Sequence, residues 1–305
     1  MRPDILIIGG GPSAMTAALY SLRAGKSATI IEKEHFGGQI ADSPRVENFP
    51  GQKSISGLDL SNDMFEQITA LGANFEMDEA KSLLKDGDHF KIEGNFGTYE
   101  GSSVIIATGV KHRKLGLKGE DKFLGHGVSY CAVCDGAFYA GKDALVIGDA
   151  NSALQYAIML ASYCHKVTVV TLFERFFADP ILVKGLLRLS NVEVFHNYNG
   201  LSFNGGKELT SVTFENTESK EKRDFPCAGA FVAIGQIPDN RRFANAVDLI
   251  KGYIVTDEGM ATRTPGVFAA GDCRAKKCRQ LTTACNDGAI ASLSAAQYLF
   301  AKGQS

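Results

Sequence analysis

The chain has 305 residues, a formal net charge of −2, 45% hydrophobic and 22% charged residues, the make-up of a globular protein of about two domains of ~150 residues each. Near-neutrality argues against wholesale nucleic-acid binding, and no apolar run approaches the ~20 residues of a membrane span. Seven cysteines, an odd number, suit a reducing cytoplasm better than a secreted disulfide framework, and a core strand starting at Asp4 leaves the expectation of no signal peptide.

In chain order, a strand over 4–8, a helix over about 12–24 and a strand over 28–32 come first. Gly37-Gly38 then breaks the chain, and Pro44, Pro50 and Gly51 mark a loop. A helix near 58–71 follows, with apolar Leu58, Met64, Phe65, Ile68 and Leu71. Segments near 80–84, 89–93 and 96–99 alternate like an antiparallel ribbon, and Val104–Ala107 is a buried strand running into Gly109. The order then repeats: strand 144–147, helix 152–163, strand 167–171, a helix near 180–188, ribbon strands near 200–203 and 209–214, and Phe231–Gly235 as the counterpart of Val104–Gly109. Beyond Pro238, Gly266–Ala270 is a short strand and 281–301 a helix, a tail that belongs to neither repeat. The expected fold is α/β with two Rossmann-like, three-layer ββα nucleotide-binding domains, the second inserted into the first. The boundaries read as 1–114 plus 245–305 for the outer domain and 115–244 for the insert.

The two repeats carry glycine loops of matched layout: Gly9 to Glu32 and Gly148 to Thr171 each span 23 positions. In the first loop, Gly9 permits a tight turn, Gly11 lets a pyrophosphate approach the backbone, and Ala14 allows close helix packing. The helix N-terminus faces the phosphates, and Glu32 can accept from ribose hydroxyls. The second loop has lost these features. Gly10 corresponds to Asp149, Gly11 to Ala150 and Glu32 to Thr171, so a carboxylate and a methyl stand where phosphates would pass. The residues after Thr171 are Leu172 and Phe173, with Arg175 the nearest cation. This unit reads as a retained scaffold that no longer takes a nicotinamide nucleotide.

Before the second loop lies Cys131-Ala132-Val133-Cys134-Asp135-Gly136. Two cysteines at this spacing can close a small disulfide and exchange electrons by thiolate attack, and the Asp135 carboxyl can deliver a proton. A zinc half-site or two inert thiols are the alternatives. Zinc needs a second pair at similar spacing, and Cys273 and Cys278 fit poorly. Cys164, Cys227 and Cys285 lie in helix or strand text and read as buried apolar residues.

Together these segments, with Gly37-Gly38-Gln39, Glu47-Asn48-Phe49-Pro50-Gly51, Ala107-Thr108-Gly109, Gly266–Asp272 and Arg279-Gln280, closely resemble the low-molecular-weight flavin-dependent thioredoxin reductases over nearly the whole chain. The resemblance implies a homodimer that binds FAD and reduces thioredoxin. It implies FAD contacts from Gly9, Gly11, Pro12, Ser13, Ala14, Glu32, Lys33, Gly38, Gln39, Asn48, Thr108, Gly109, Gly271, Asp272, Arg279, Gln280 and Leu281. Cys134 would face the flavin, Cys131 would attack the partner disulfide and Asp135 would be the acid. Ordinary members carry a His-Arg-Arg cluster and a further Arg to grip NADPH, where this chain has Thr171, Leu172, Phe173 and Phe177. The same losses mark the ferredoxin-dependent flavin thioredoxin reductases, which the chain resembles better. NADPH binding is therefore not expected, and ferredoxin is the expected donor. A dithiol oxidase passing electrons to oxygen, and an NADPH enzyme with an atypical nucleotide site, are the alternatives. An acidic donor would dock on one of two basic clusters, Lys111/Arg113/Lys114 or Arg274/Lys276/Lys277/Arg279.

Overall fold

The computed structural model describes residues 2–43 and 45–303; Pro44, expected in the loop after Gly37-Gly38, lies outside the described residues. The chain divides into two compact units, 1–111 with 237–305, and 112–236.

In the first unit the parallel sheet runs in the order 267–269, 103–106, 5–8, 28–32, 74–77. Every residue of the central strand Ile5–Ile8 is buried, as a parallel strand covered on both faces demands. On one face lie the helices α1 (Pro12–Arg23), α2 (Gly57–Ala70) and α6 (Leu281–Ala301). Ile5, Ile7 and Ile30 form a core there with Ala14, Met15, Ala18, Ala291 and Ala295. The small side chains let α1 and α6 approach closely, and Ser21 and Ser292 share a 2.8 Å hydrogen bond across the seam. On the other face Leu6, Ile8, Val104 and Ile106 pack against Leu83, Phe90 and Ile92 of an antiparallel ribbon, 82–86, 89–93 and 98–101. Each such side chain contributes roughly 1.5–3 kcal/mol on burial.

The second unit is built the same way. Its parallel sheet runs 192–195, 166–170, 143–147, 229–232, 128–129. Helices α4 (Asn151–Ala161) and α5 (Pro180–Leu186) cover one face, and a ribbon of 198–205, 209–216 and 222–226 covers the other. The two units differ in where the fifth strand comes from. The first unit takes it from the C-terminal tail, Val267–Ala269; the second takes it from its own beginning, Val128–Ser129.

One sequence expectation needs correction, and several strands went unread. The chain re-enters the first unit at residue 237, eight positions before the expected 245, because Phe243 is already fully buried in that unit's core and Asn240 bonds Thr108 Oγ1, the Gly252 carbonyl and the Cys273 carbonyl. The short edge strands Asn74–Met77 and Val192–Phe195, and the charged strand Lys222–Pro226, had no legible signal.

Gly9 has φ of 109°, and a Cβ there would run into the Ala107 carbonyl. Left-handed backbone at a non-glycine residue costs about 1–3 kcal/mol, and the collision adds to it. Gly9→Ala should therefore lower the urea midpoint and release flavin; unchanged stability and flavin content would show that the turn tolerates a side chain.

Candidate active site

The first glycine loop forms one end of a cradle within the first unit. Gly11 caps α1 and Pro12 takes its first position, where a missing N–H costs nothing. The carboxylate of Glu32 reaches back from the end of its strand: Oε2 accepts the Gly10 amide at 2.5 Å and Oε1 the Glu34 amide at 2.8 Å. Gly38, at φ of 55°, comes against the Gly11 Cα, Gln39 donates through Nε2 to the Val110 carbonyl, and Gly109 has φ of 64°. Gln280 caps α6 in a reciprocal pair with Thr283, with Leu281 the first helical residue, and Asn48 lies 3.5 Å from the Gln280 side-chain oxygen. Lys33 is drawn to Glu34 at 3.5 Å and Glu79 at 4.0 Å.

Two polar atoms in this cradle are incompletely satisfied: Ser13 Oγ is buried without a hydrogen-bond partner, and Asp272 Oδ1 is buried with only the Lys276 ammonium, 3.4 Å away, beside it. A Cβ on Gly271 would touch the Ser13 side chain, so the two residues lie at one spot. Buried polar groups in folded proteins are normally satisfied. A hydroxyl-rich cofactor would satisfy both, and the ribityl chain of FAD has the needed donors and acceptors; the residues present fit it. Burial pushes the Asp272 carboxyl up, while Lys276 and Arg279 pull it down.

Asp287, in the first half of α6, was missed by the sequence reading. It is buried, and its Oδ2 accepts from Arg274 Nη1 at 2.9 Å, Lys276 Nζ at 2.9 Å and the Gly271 amide at 3.1 Å. Its only sequence signal was an acid inside an otherwise small and apolar helix. Lys276 also lies 3.4 Å from Asp272, and Arg279 donates to the Asp272 and Arg274 carbonyls while stacking over Tyr253. The second basic cluster is thus internal wiring and not a docking patch: of its four residues, only Lys277 is exposed. Lys111 and Lys114 of the first cluster are exposed but ion-paired, to Glu34 and Asp121. Removing one member of a buried ion cluster strands the others, typically at about 3–5 kcal/mol. Asp287→Ala should lose that much stability by denaturant unfolding, with Asp287→Asn intermediate; a loss within about 0.5 kcal/mol, the surface-mutation range, would contradict the network.

In the second unit Cys131 and Cys134 are joined as a disulfide with Cα atoms 5.3 Å apart. Cys131 caps the short helix α3 (Ala132–Asp135), its sulfur receiving the Cys134 amide at 3.2 Å. Ser129 Oγ donates to Asp135 Oδ2 at 2.6 Å and receives the Cys131 amide at 3.0 Å. The other carboxyl oxygen, Asp135 Oδ1, is buried without a partner. Burial pushes the Asp135 carboxyl up, and the Ser129 hydroxyl opposes it. Of the other cysteines, Cys164, Cys227 and Cys273 are buried, Cys285 is half-buried and Cys278 is exposed. Burial pushes the Cys227 thiol to about 12 and Cys273 to about 11, which leaves them as thiols and poor nucleophiles.

The second glycine loop keeps the turn but not the pocket. Gly148 has φ of 150° and a Cβ there would meet the Ala233 carbonyl. Ala150 caps α4 without a side-chain bond, and burial pushes the Asp149 carboxyl up. Thr171 is buried, its hydroxyl 2.7 Å from both the Phe173 carbonyl and His196 Nδ1. Leu172, Phe173 and Phe177 are 47%, 50% and 54% exposed, and Arg175 lies against the Phe177 ring. The positions expected to carry a phosphate-gripping cluster therefore present an apolar surface.

The profile of the pyridine nucleotide-disulphide oxidoreductases matches residues 3–288. The chain belongs to that family. Within it, the chain is 40% identical to a thioredoxin reductase of Listeria innocua over 299 residues, covering 97% of this chain and 93% of the relative. It is 37% identical to the crystal structure of thioredoxin reductase from Streptococcus pyogenes, with a TM-score of 0.94 and coverage of 98% and 99%. A ferredoxin-flavin thioredoxin reductase structure from Clostridium acetobutylicum is 30% identical, with a TM-score of 0.54 and coverage of 98% and 99%. Identity is thus higher to the Listeria and Streptococcus thioredoxin reductases than to this ferredoxin-flavin enzyme, and the expected special nearness to the ferredoxin-dependent branch does not appear in it. The family's three-layer parallel-sheet architecture is the one described above.

Proposed function

We propose that this family member is a flavoprotein that reduces the thioredoxin disulfide through FAD and the Cys131/Cys134 pair, and that its electrons come from reduced ferredoxin. The observation that carries the reading is the Cys131–Cys134 disulfide with a half-free Asp135 carboxyl beside it, in a chain whose second dinucleotide loop has Asp149 and Ala150 in place of glycines. The flavin, held by Gly9–Ala14, Glu32, Ser13, Asp272 and the Arg279-Gln280 segment, supplies the conversion between single electrons and a two-electron disulfide. Cys131 attacks the partner disulfide and Cys134 resolves the mixed disulfide; Asp135 moves the proton. A homodimer with no nicotinamide requirement is part of the same reading.

One observation favours a second reading. The match to the pyridine nucleotide-disulphide oxidoreductase profile over residues 3–288 supports a nicotinamide nucleotide such as NADPH as donor through an atypical loop. Anaerobic stopped-flow of the purified flavoprotein against NADPH, NADH and reduced ferredoxin, following flavin bleaching, separates the two. Flavin that resists all three but cycles with a small dithiol and oxygen would favour an oxidase instead.

A further inference from the structure

We propose that Ser129 is a positioning residue of the dithiol centre, holding one oxygen of Asp135 so that the other is left to exchange a proton with the cysteine sulfurs. The inference rests on the reading that Cys131 and Cys134 reduce a protein disulfide with help from Asp135.

Ser129 ends the edge strand Val128–Ser129, and its side chain is buried. The strand's ladder uses only its backbone, so the hydroxyl is free for other work. That one hydroxyl touches both halves of the centre. It gives its hydrogen to Asp135 Oδ2 at 2.6 Å and accepts the Cys131 amide at 3.0 Å. The Cys131 carbonyl, at 3.4 Å, is too distant to compete for the same hydrogen. Asp135 Oδ1 is left buried with no partner, where an unmade hydrogen bond is costly. The other titratable groups that face this carboxyl are the phenols of Tyr139 and, from α4, Tyr156, both raised by burial and by its charge. No cation is among the influences on Asp135. Ser129 is therefore the group that steadies its ionised form.

The step balances as follows. In the dithiol form the Cys131 thiolate attacks a sulfur of the partner's disulfide; that S–S bond breaks, a mixed disulfide forms, and the first partner sulfur takes up the proton Cys131 lost. Asp135 removes the proton of the Cys134 thiol. Cys134 attacks Cys131 Sγ, the 131–134 bond forms as the mixed disulfide breaks, and Asp135 passes the proton to the departing partner thiolate. Two electrons move from the enzyme dithiol to the partner, and the product is the disulfide form in which the Ser129–Asp135 bond is seen.

The test is single-turnover oxidation of the pre-reduced flavoprotein, as a function of pH, by two oxidants: oxidised thioredoxin, and 5,5′-dithiobis(2-nitrobenzoic acid), whose leaving thiolate needs no proton near neutrality. Ser129→Ala is expected to slow the thioredoxin reaction about tenfold, the worth of one net hydrogen bond. It should also move the acid limb to higher pH, since the carboxylate loses the donor that lowers its pKa. The first aromatic thiolate released by attack of Cys131, a step that needs neither a proton nor the Cys134 thiol, should appear at the unaltered rate, and Ser129→Thr should restore the profile. An unchanged limb and rate in Ser129→Ala overturns the proposal, as does equal slowing with both oxidants, the mark of a disturbed loop. Asp135→Asn separates this from failure of the underlying reading. If it slows thioredoxin turnover while Ser129→Ala does not, only the Ser129 assignment is lost. If it has no effect, Asp135 carries no proton and the assignment of Ser129 falls with it.

Discussion

Cys131→Ser and Cys134→Ser should each eliminate thioredoxin reduction while leaving the flavin bound. Disulfide exchange needs a thiolate to attack and a second sulfur to resolve the mixed disulfide. A serine hydroxyl ionises far less readily and forms no S–S bond, so the loss should be on the order of 10³-fold or more, as for removal of a catalytic nucleophile. The two variants should fail differently. With Cys131 replaced, the sulfur expected to attack is gone and no covalent adduct should form. With Cys134 replaced, Cys131 keeps its place at the cap of α3 and should trap the partner as a mixed disulfide, visible by intact mass under non-reducing conditions. Flavin should be retained in both, because Ser13, Asp272, Glu32 and the Asp287 network lie in the other unit. Near-normal turnover in either variant would remove the pair from the mechanism.

NADPH and NADH should reduce the flavin at least about a thousandfold more slowly than reduced ferredoxin does. Each charge-assisted contact to a phosphate is worth about 1.5–3 kcal/mol, and 1.4 kcal/mol is a factor of ten. Thr171 is buried and committed to His196, Leu172 and Phe173 are apolar, and Arg175 is laid against Phe177; two or three such contacts are missing. Asp149 adds a carboxyl beside the phosphate path. Restoring cations with Leu172→Arg and Phe173→Arg, together with Asp149→Gly and Ala150→Gly, should bring back measurable NADPH bleaching. Rapid bleaching of the unaltered protein by micromolar NADPH would overturn the donor assignment and leave the dithiol assignment untouched.

The two glycine loops, the repeated order of elements and the helix over 281–301 were legible because each is written in local terms: strand runs of Ile and Val, a glycine at a turn, a long small-residue helix ending where the apolar pattern ends. The candidate site was legible where it consists of adjacent residues, as in Cys131–Asp135. It was not legible where distant segments meet. Asp287 reads as one polar residue in a helix, and only the fold brings it to Arg274, Lys276 and the Gly271 amide. The same gap turned the cluster at 274–279 into an apparent surface patch: charges adjacent in sequence look solvated until a buried acid is found behind them. Ser129 was passed over because a serine two places before a cysteine carries no pattern.

The different origin of the fifth strand bears on biosynthesis. The first unit's sheet is closed by Val267–Ala269 and its helical face by α6, both encoded after the whole of the second unit. Emerging from the ribosome N-terminus first, at about 5–20 residues per second, the insert has every one of its strands in hand while its host still lacks an edge strand and a covering helix. The exposed flank of strand Ser103–Ile106 must wait many seconds for its partner. During that interval the nascent chain carries a completed insert on an unfinished host, and the segment that follows the insert is the one that makes the cradle around Asp272 whole.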